Sequence, residues 1–444
     1  MKKTPLVASL VAGVLLLNGA APLTQVSADS KAPTKITLWH SMTAANEYAI
    51  KQLAKEFNAS QSKYKVVPQF EGQYVDALPK YLSVAGTDKA PVLFQSNDIS
   101  TKQLATSGVI EPISTLVKHD GLSTKDIRQN ALNYYSIKGK LYSMPFNSSA
   151  PVLYYNKDAF KAAGIDDLPQ SPSYSDITNA AKKLTEANGT PALSILPYGW
   201  LFEELVANQN SYLINKSNGR AGNATKATFN SPAALNVLNW IQENADAKTL
   251  VDYGTGADAS DNDAAGFAAG KDYIMMGSSA NMGMLADSAK FNVGVTYLPH
   301  PDNQDAAGVA VGGASIWLSK DKSTAEQKGA AAFLKFATNP KSQAEWAVAT
   351  GYFAINKKSD NTSIMKDAVK KNPNLQVALN QLSDTKLNNK TAGASMTAMP
   401  QERINTQNAM ENVMNGKDPK KELAKANKQT TADIKSANEQ TGVK

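Results

Sequence analysis

Apolar positions recur with two different periods along this chain. Lys35-Ile36-Thr37-Leu38-Trp39-His40 alternates with period two and predicts a strand, whereas Ile50, Leu53, Ala54 and Phe57 recur at helical spacing and predict a helix over 45–57. Residues 64–68 read as a second strand, 75–85 as a second helix, and Val92-Leu93-Phe94-Gln95 as a short buried strand. Strand, helix, strand in this order predicts βαβ units and a mainly parallel sheet.

The pattern changes at 142–157, where Asn147-Ser148-Ser149 reads as a polar turn joined to the β-rich Val152-Leu153-Tyr154-Tyr155, the expected form of a crossing between two lobes. Beyond it, helices are predicted over 175–188 and 233–244, a helix end over 264–270, and strands over 272–276 and 292–296. Leu298-Pro299-His300-Pro301 predicts a return crossing, Gly312 to Trp317 a strand back in the first lobe, and 325–337 and 341–349 two helices. Gly351 to Ala354 interrupts that pattern at an expected third crossing. The first lobe is therefore expected over 33–145 plus 305–352, the second over 150–300 plus 355–430, and a polar tail over 431–444. Three exchanges between lobes are what a hinged clamp needs, because short connecting segments bend together while each lobe stays rigid. A ligand is then expected in the cleft.

Residues 1–28 begin with Lys2 and Lys3, run through the apolar core 6–17 and end in Val26-Ser27-Ala28, the layout of a secretory signal peptide cleaved after Ala28. The protein is expected to be exported and cell-surface associated or secreted. Leu17-Asn18-Gly19-Ala20 has the shape of a lipoprotein box, with Ala20 where the lipid-accepting cysteine belongs. With no cysteine in the sequence, disulfides, thiolate metal sites and a cysteine nucleophile are excluded. The formal charge is +7, two units of which lie in Lys2 and Lys3, and the rest forms no reading motif for nucleic acid. At 444 residues the chain exceeds the size at which one core keeps growing.

Two features carry candidate chemistry. Gly277-Ser278-Ser279-Ala280 leaves a strand and leads into a helical-looking segment, so it offers hydroxyls and backbone N–H groups to an anion, although Ser-Gly helix caps are commonplace. Arg403, in Met399-Pro400-Gln401-Glu402-Arg403-Ile404, is one of few arginines in a lysine-rich chain. Arginine where lysine is the habit suits bidentate recognition of a phosphate, and equally a structural ion pair.

Trp39-His40-Ser41-Met42, Pro145-Phe146-Asn147-Ser148-Ser149, Ala289-Lys290-Phe291-Asn292, Gly312-Gly313-Ala314-Ser315, Thr350-Gly351-Tyr352 and Met399-Pro400-Gln401 with Arg403 occur in the order of a known pattern. The chain resembles family 1 solute-binding proteins of ABC importers, in particular the subgroup that binds sn-glycerol-3-phosphate and its diesters. The resemblance runs from about Leu38 to about Lys421. It implies an α/β, two-lobed periplasmic-binding-protein-like fold of type II, no catalysis, no metal or organic cofactor, a monomer, and partnership with permease subunits and a cytoplasmic ATPase. The ligand contacts it implies fall on Tyr74, Asp98, Ser149, Ser278, Gly313, Tyr352 and Arg403, with donors facing the phosphate and Asp98 accepting from the glycerol hydroxyls. Two departures bear on the ligand: Asp98 stands where the family has glutamate, and Pro197-Tyr198-Gly199-Trp200 keeps one indole of a paired-tryptophan segment. Tyr198 and Trp200 are candidates to line the cleft or cage a quaternary ammonium such as choline.

Rival readings remain open. His40, His119 and His300 form no zinc-hydrolase motif, and Gly266 to Lys271 is one residue short of a phosphate-cradling P-loop, while a carboxylate pair of the glycosidase kind is not excluded by sequence. A binding protein for neutral oligosaccharides shares the fold, and a surface adhesin is compatible with the basic run 417–428.

Overall fold

The computed structural model describes residues 32–256 and 258–443, so the expected signal peptide lies outside the described residues. Two sheets carry the fold. In the first, Tyr64–Phe70, Thr34–His40 and Leu93–Asn97 run parallel in that order, and Gly312–Ser319 adds antiparallel beside Leu93–Asn97. Ile110–Glu111 and Met144–Ser149 both pair with Gly312–Ser319. In the second, Pro151–Asn156 lies between Val293–Thr296 and Ile274–Ser278, antiparallel to both, and Leu193–Ser194 closes the far edge. The expected parallel pairing is thus found at the βαβ start of the chain and, in the second sheet, at the short Leu193–Ser194 edge alone among the named strands of the described residues. Strands that return from the other lobe need no crossover helix and enter antiparallel.

The helix Ala44–Ser60 buries Ile50, Leu53, Ala54 and Phe57, the stripe its spacing predicts, together with Ala49, and Phe57 meets Phe333 and Phe336 edge-on at 5.5 and 5.6 Å. Full burial of each such large side chain contributes about 1.5–3 kcal/mol.

Two local expectations are corrected. Asn147-Ser148-Ser149 is not a turn: it belongs to the strand Met144–Ser149, all of it buried, and only Ala150 separates it from the equally buried Pro151–Asn156. Polar residues are tolerated there because Asn147 finds partners inside, accepting from Gln95 Nε2 at 2.8 Å and donating to Tyr74 at 3.3 Å. The third crossing comes later than Gly351 to Ala354. Phe353 N–H donates to Ser148 C=O, and Arg128 and Lys357 exchange backbone bonds with Ile355 and Asp126, all on the first-sheet side. The chain reaches the second sheet with Pro373–Gln376, where Asn374 donates to Val293 C=O at 2.8 Å, and with the helix Val377–Asp384, where Gln381 donates to Pro151 C=O at 2.6 Å and accepts from Leu298 N–H at 2.7 Å. The polar tail is helical as well. It forms the end of Pro419–Thr441, whose Leu423, Ala426, Thr430 and Ile434 are buried along one face against Met399–Met414.

Candidate functional site

Between the two sheets lies a cleft of about 890 Å³, within the usual range for small-molecule sites. All nine residues singled out from the sequence border it: Tyr74, Asp98, Ser149, Ser278, Gly313, Tyr352, Arg403, Tyr198 and Trp200. Trp39 and His40 do not reach it, and burial lowers the His40 pKa to about 4, so that imidazole stays neutral.

Each wall has a local cause. Asp98 opens the short turn after Leu93–Asn97, which places it at the carboxyl end of a first-sheet strand. Gly313 sits at φ +97° opposite Ser148, and a Cβ there would lie 2.1 Å from Asn147 O, so a side chain is excluded by both conformation and space. Tyr74 is held by Asn147, which Gln95 fixes in turn, and Gln95 Oε1 accepts from Ser41 N–H at 3.0 Å. Tyr352 stacks on Trp346 at 6.3 Å.

Arg403 is buried on the helix Met399–Met414. Its Nη1 and Nη2 donate to Asp98 at 3.3 and 2.9 Å, and its Nε and Nη2 to Glu203 at 2.6 and 3.4 Å. The guanidinium is therefore bidentate, as its choice over lysine implied, but its partners are two carboxylates of the protein. Asp98 faces that fork rather than standing clear for a diol. Gly199 permits this approach, since a Cβ at that position would lie 2.4 Å from Arg403 Cα.

At the other end, Ser278 ends the strand Ile274–Ser278. The expected free N–H groups are not there. Ser278 N–H donates to Asn281 Oδ1 at 3.1 Å, Ser279 N–H to Ala150 C=O at 2.9 Å, and Ala280 N–H to Ser278 Oγ at 3.2 Å. What Ser278 offers the cleft is its hydroxyl proton. The Trp200 indole, nearly buried against Gly312, has no acceptor for its N–H among the described residues. Tyr198 stands exposed 6.2 Å from it, tilted by 55°, so the two rings form two walls of an aromatic corner.

Sequence reasoning missed Glu203, Glu204 and Glu402. Glu204 accepts from Ala310 N–H at 2.8 Å, and burial holds its carboxyl well above the usual carboxylate range. A signal existed: Glu203-Glu204 is an acidic pair inside a helix, Gly199–Asn208, whose every residue is buried. Deeper in the cleft wall, burial raises Asp263 to about 7. Among the described residues no group of three or more His, Asp or Glu is placed to hold a metal ion, and no helix is long and apolar enough to cross a membrane.

The sequence profile of a family described as bacterial extracellular solute-binding protein matches residues 52–377. The sn-glycerol-3-phosphate-binding periplasmic protein UgpB of Escherichia coli K12 is 31% identical over 396 residues, covering 88% of this chain and 90% of that protein. Its namesake in Yersinia enterocolitica is 31% identical over 398 residues, with the same coverage. Among solved structures, UgpB from Mycobacterium tuberculosis in complex with glycerophosphocholine superposes with a TM-score of 0.75 at 22% identity, covering 91% of this chain and 99% of that one. The cyclic α-maltosyl-1,6-maltose binding protein of Arthrobacter globiformis superposes with a TM-score of 0.76 at 20% identity, covering 91% and 100%. These likenesses carry the fold.

Proposed function

Because this chain belongs to the bacterial extracellular solute-binding protein family, whose members bind a solute for an ABC importer and do not transform it, we propose that it captures sn-glycerol-3-phosphate or a glycerophosphodiester such as glycerophosphocholine. Proteins of this family work with permease and ATPase subunits, so the closed, loaded form is what the membrane partners receive. The observation that carries the reading is convergence: nine positions spread from Tyr74 to Arg403 border one cleft and present a guanidinium and hydroxyls. These are donors for phosphate oxygens. The Tyr198–Trp200 corner has the spacing for a trimethylammonium group, which supports a choline ester in particular.

A neutral oligosaccharide is the second reading, and one observation favours it: Asp98 and Glu203 already neutralise Arg403, and carboxylates flanking a guanidinium suit sugar hydroxyls. Thermal-shift titration against sn-glycerol-3-phosphate, glycerophosphocholine and maltooligosaccharides separates the two, because a ligand that binds only the folded state raises the melting point. A shift with a phosphate ester and none with saccharides is expected. The reverse result replaces the proposal with the sugar reading.

A further inference from the structure

Next to Arg403 stands a carboxyl group that the ligand reading leaves unused. Glu402 is fully buried, and neither of its oxygens meets a donor among the described residues. The Thr406 hydroxyl below it donates to the backbone carbonyls of Glu402 and Arg403. The side chains facing the Glu402 carboxyl are that Thr406 hydroxyl, already committed to the two carbonyls, and another acid, Glu203, the residue that grips the Arg403 Nε. An ionised Glu402 would be an unsatisfied buried charge beside a second negative charge, whereas a protonated Glu402 can donate to Glu203. Burial holds Glu402 well above the usual carboxylate range, which agrees with that geometry.

The local charge follows. Arg403 supplies one positive charge against the Asp98 and Glu203 carboxylates that grip it, and burial disfavours a further negative charge on Glu402 and Glu204. Tyr134 faces the cluster as a neutral phenol, as does Tyr198. Lys390 borders the small space beneath Arg403 but sets its ammonium over the Tyr212 ring, 5.1 Å from the centroid. An anionic ester arriving at Arg403 therefore enters a buried site with an excess of negative charge, where unscreened repulsion is large.

We propose that Glu203 and Glu402 set the charge of this site as a carboxyl pair, holding one proton when the cleft is empty and two when an anionic ester is bound. The second proton comes from solvent and goes to Glu203, loosening its grip on Arg403 and freeing N–H donors for the ester. This rests on the phosphate-ester reading above. The added negative charge raises the proton affinity of a neighbouring carboxylate, so binding takes up a proton and tightens as pH falls, by at most about tenfold per pH unit. An uncharged saccharide gives neither effect.

The test is isothermal calorimetry with glycerophosphoglycerol, a diester whose charge is constant near neutral pH, in buffers of different ionisation enthalpy. Wild-type protein is expected to show uptake approaching one proton per ligand, and Glu203→Gln to bind without uptake and with a flat pH profile. Glu402→Leu, which removes the hydrogen that protonated Glu402 donates to Glu203, is expected to raise the midpoint of the wild-type profile, and to leave it in place if Glu402 only fills space. The Glu402→Leu profile decides the assignment should Glu203→Gln fail to fold. Binding of the diester with no buffer dependence overturns the proton pair and leaves the proposed function intact. No binding of any phosphodiester overturns both.

Discussion

The two ends of the cleft hold their donors in opposite ways. At Ser278 the donors are neutral: three successive backbone N–H groups are tied to Asn281, Ala150 and Ser278 itself, and a hydroxyl proton is left for the cleft. At Arg403 the donor is charged, and the protein answers it with two carboxylates drawn from different parts of the chain, Asp98 after a first-sheet strand and Glu203 on a buried helix. The contrast has an electrostatic cause. A neutral donor is buried at little cost once hydrogen-bonded, while a buried cation needs compensating charge. The Arg403 end is therefore rigidly networked and sensitive to any change of charge, and the Ser278 end is tolerant.

The comparison is broken most forcefully at Arg403. Arg403→Met leaves Asp98 and Glu203 buried without their cation, and is expected to cost about 3–5 kcal/mol of stability in urea unfolding, together with all ligand binding. Gly199→Val is expected to cost about 1–3 kcal/mol by the same measurement, because a side chain at 199 meets the Arg403 backbone and pushes the two helices apart. A loss confined to ligand affinity, with stability unchanged, would show that the network is not structural.

A smaller effect sharpens the contrast through pH. Asp272, which accepts from Tyr253 at 2.6 Å, and Asp263 are both raised to about 7, chiefly by burial, from an ordinary value near 4. In that window the folded state holds protons that the unfolded chain has released. Their contribution is present in acid and is lost as pH rises from about 4 to about 7. The melting temperature should fall across that range by differential scanning calorimetry, and less steeply in Asp272→Asn. The smallest effect belongs to the neutral end: Ser278→Ala should weaken phosphate-ester binding by about 0.5–1.5 kcal/mol, roughly two- to tenfold, with a stability loss of about 1 kcal/mol or less from the Ala280 N–H left without its cap.

Much of this was legible in the sequence, for physical reasons that differ by region. Helical and strand periodicity in 35–57 follows from one-sided burial, and the structure keeps that stripe residue for residue. The Asn147-Ser148-Ser149 strand was misread because polarity is a local signal, and the partners that make it buriable, Gln95 and Tyr74, lie far away in sequence. The tail is a related case, since the burial of Ile434 depends on a neighbouring helix. At the site, the seven positions the resemblance implies, and Tyr198 and Trp200 from the segment that departs from it, border one cleft, yet the state of Arg403 was hidden. Glu203 and Asp98 are 200 and 305 residues from it along the chain, and only the folded arrangement joins them.

The most direct test of the central claim is a crystal structure of the protein with glycerophosphocholine. The account predicts the phosphate within hydrogen-bonding distance of the Arg403 guanidinium, the trimethylammonium group in the Tyr198–Trp200 corner, and the glycerol end directed toward the Ser278 hydroxyl. A phosphate bound away from Arg403, or a saccharide occupying the cleft in its place, would contradict it.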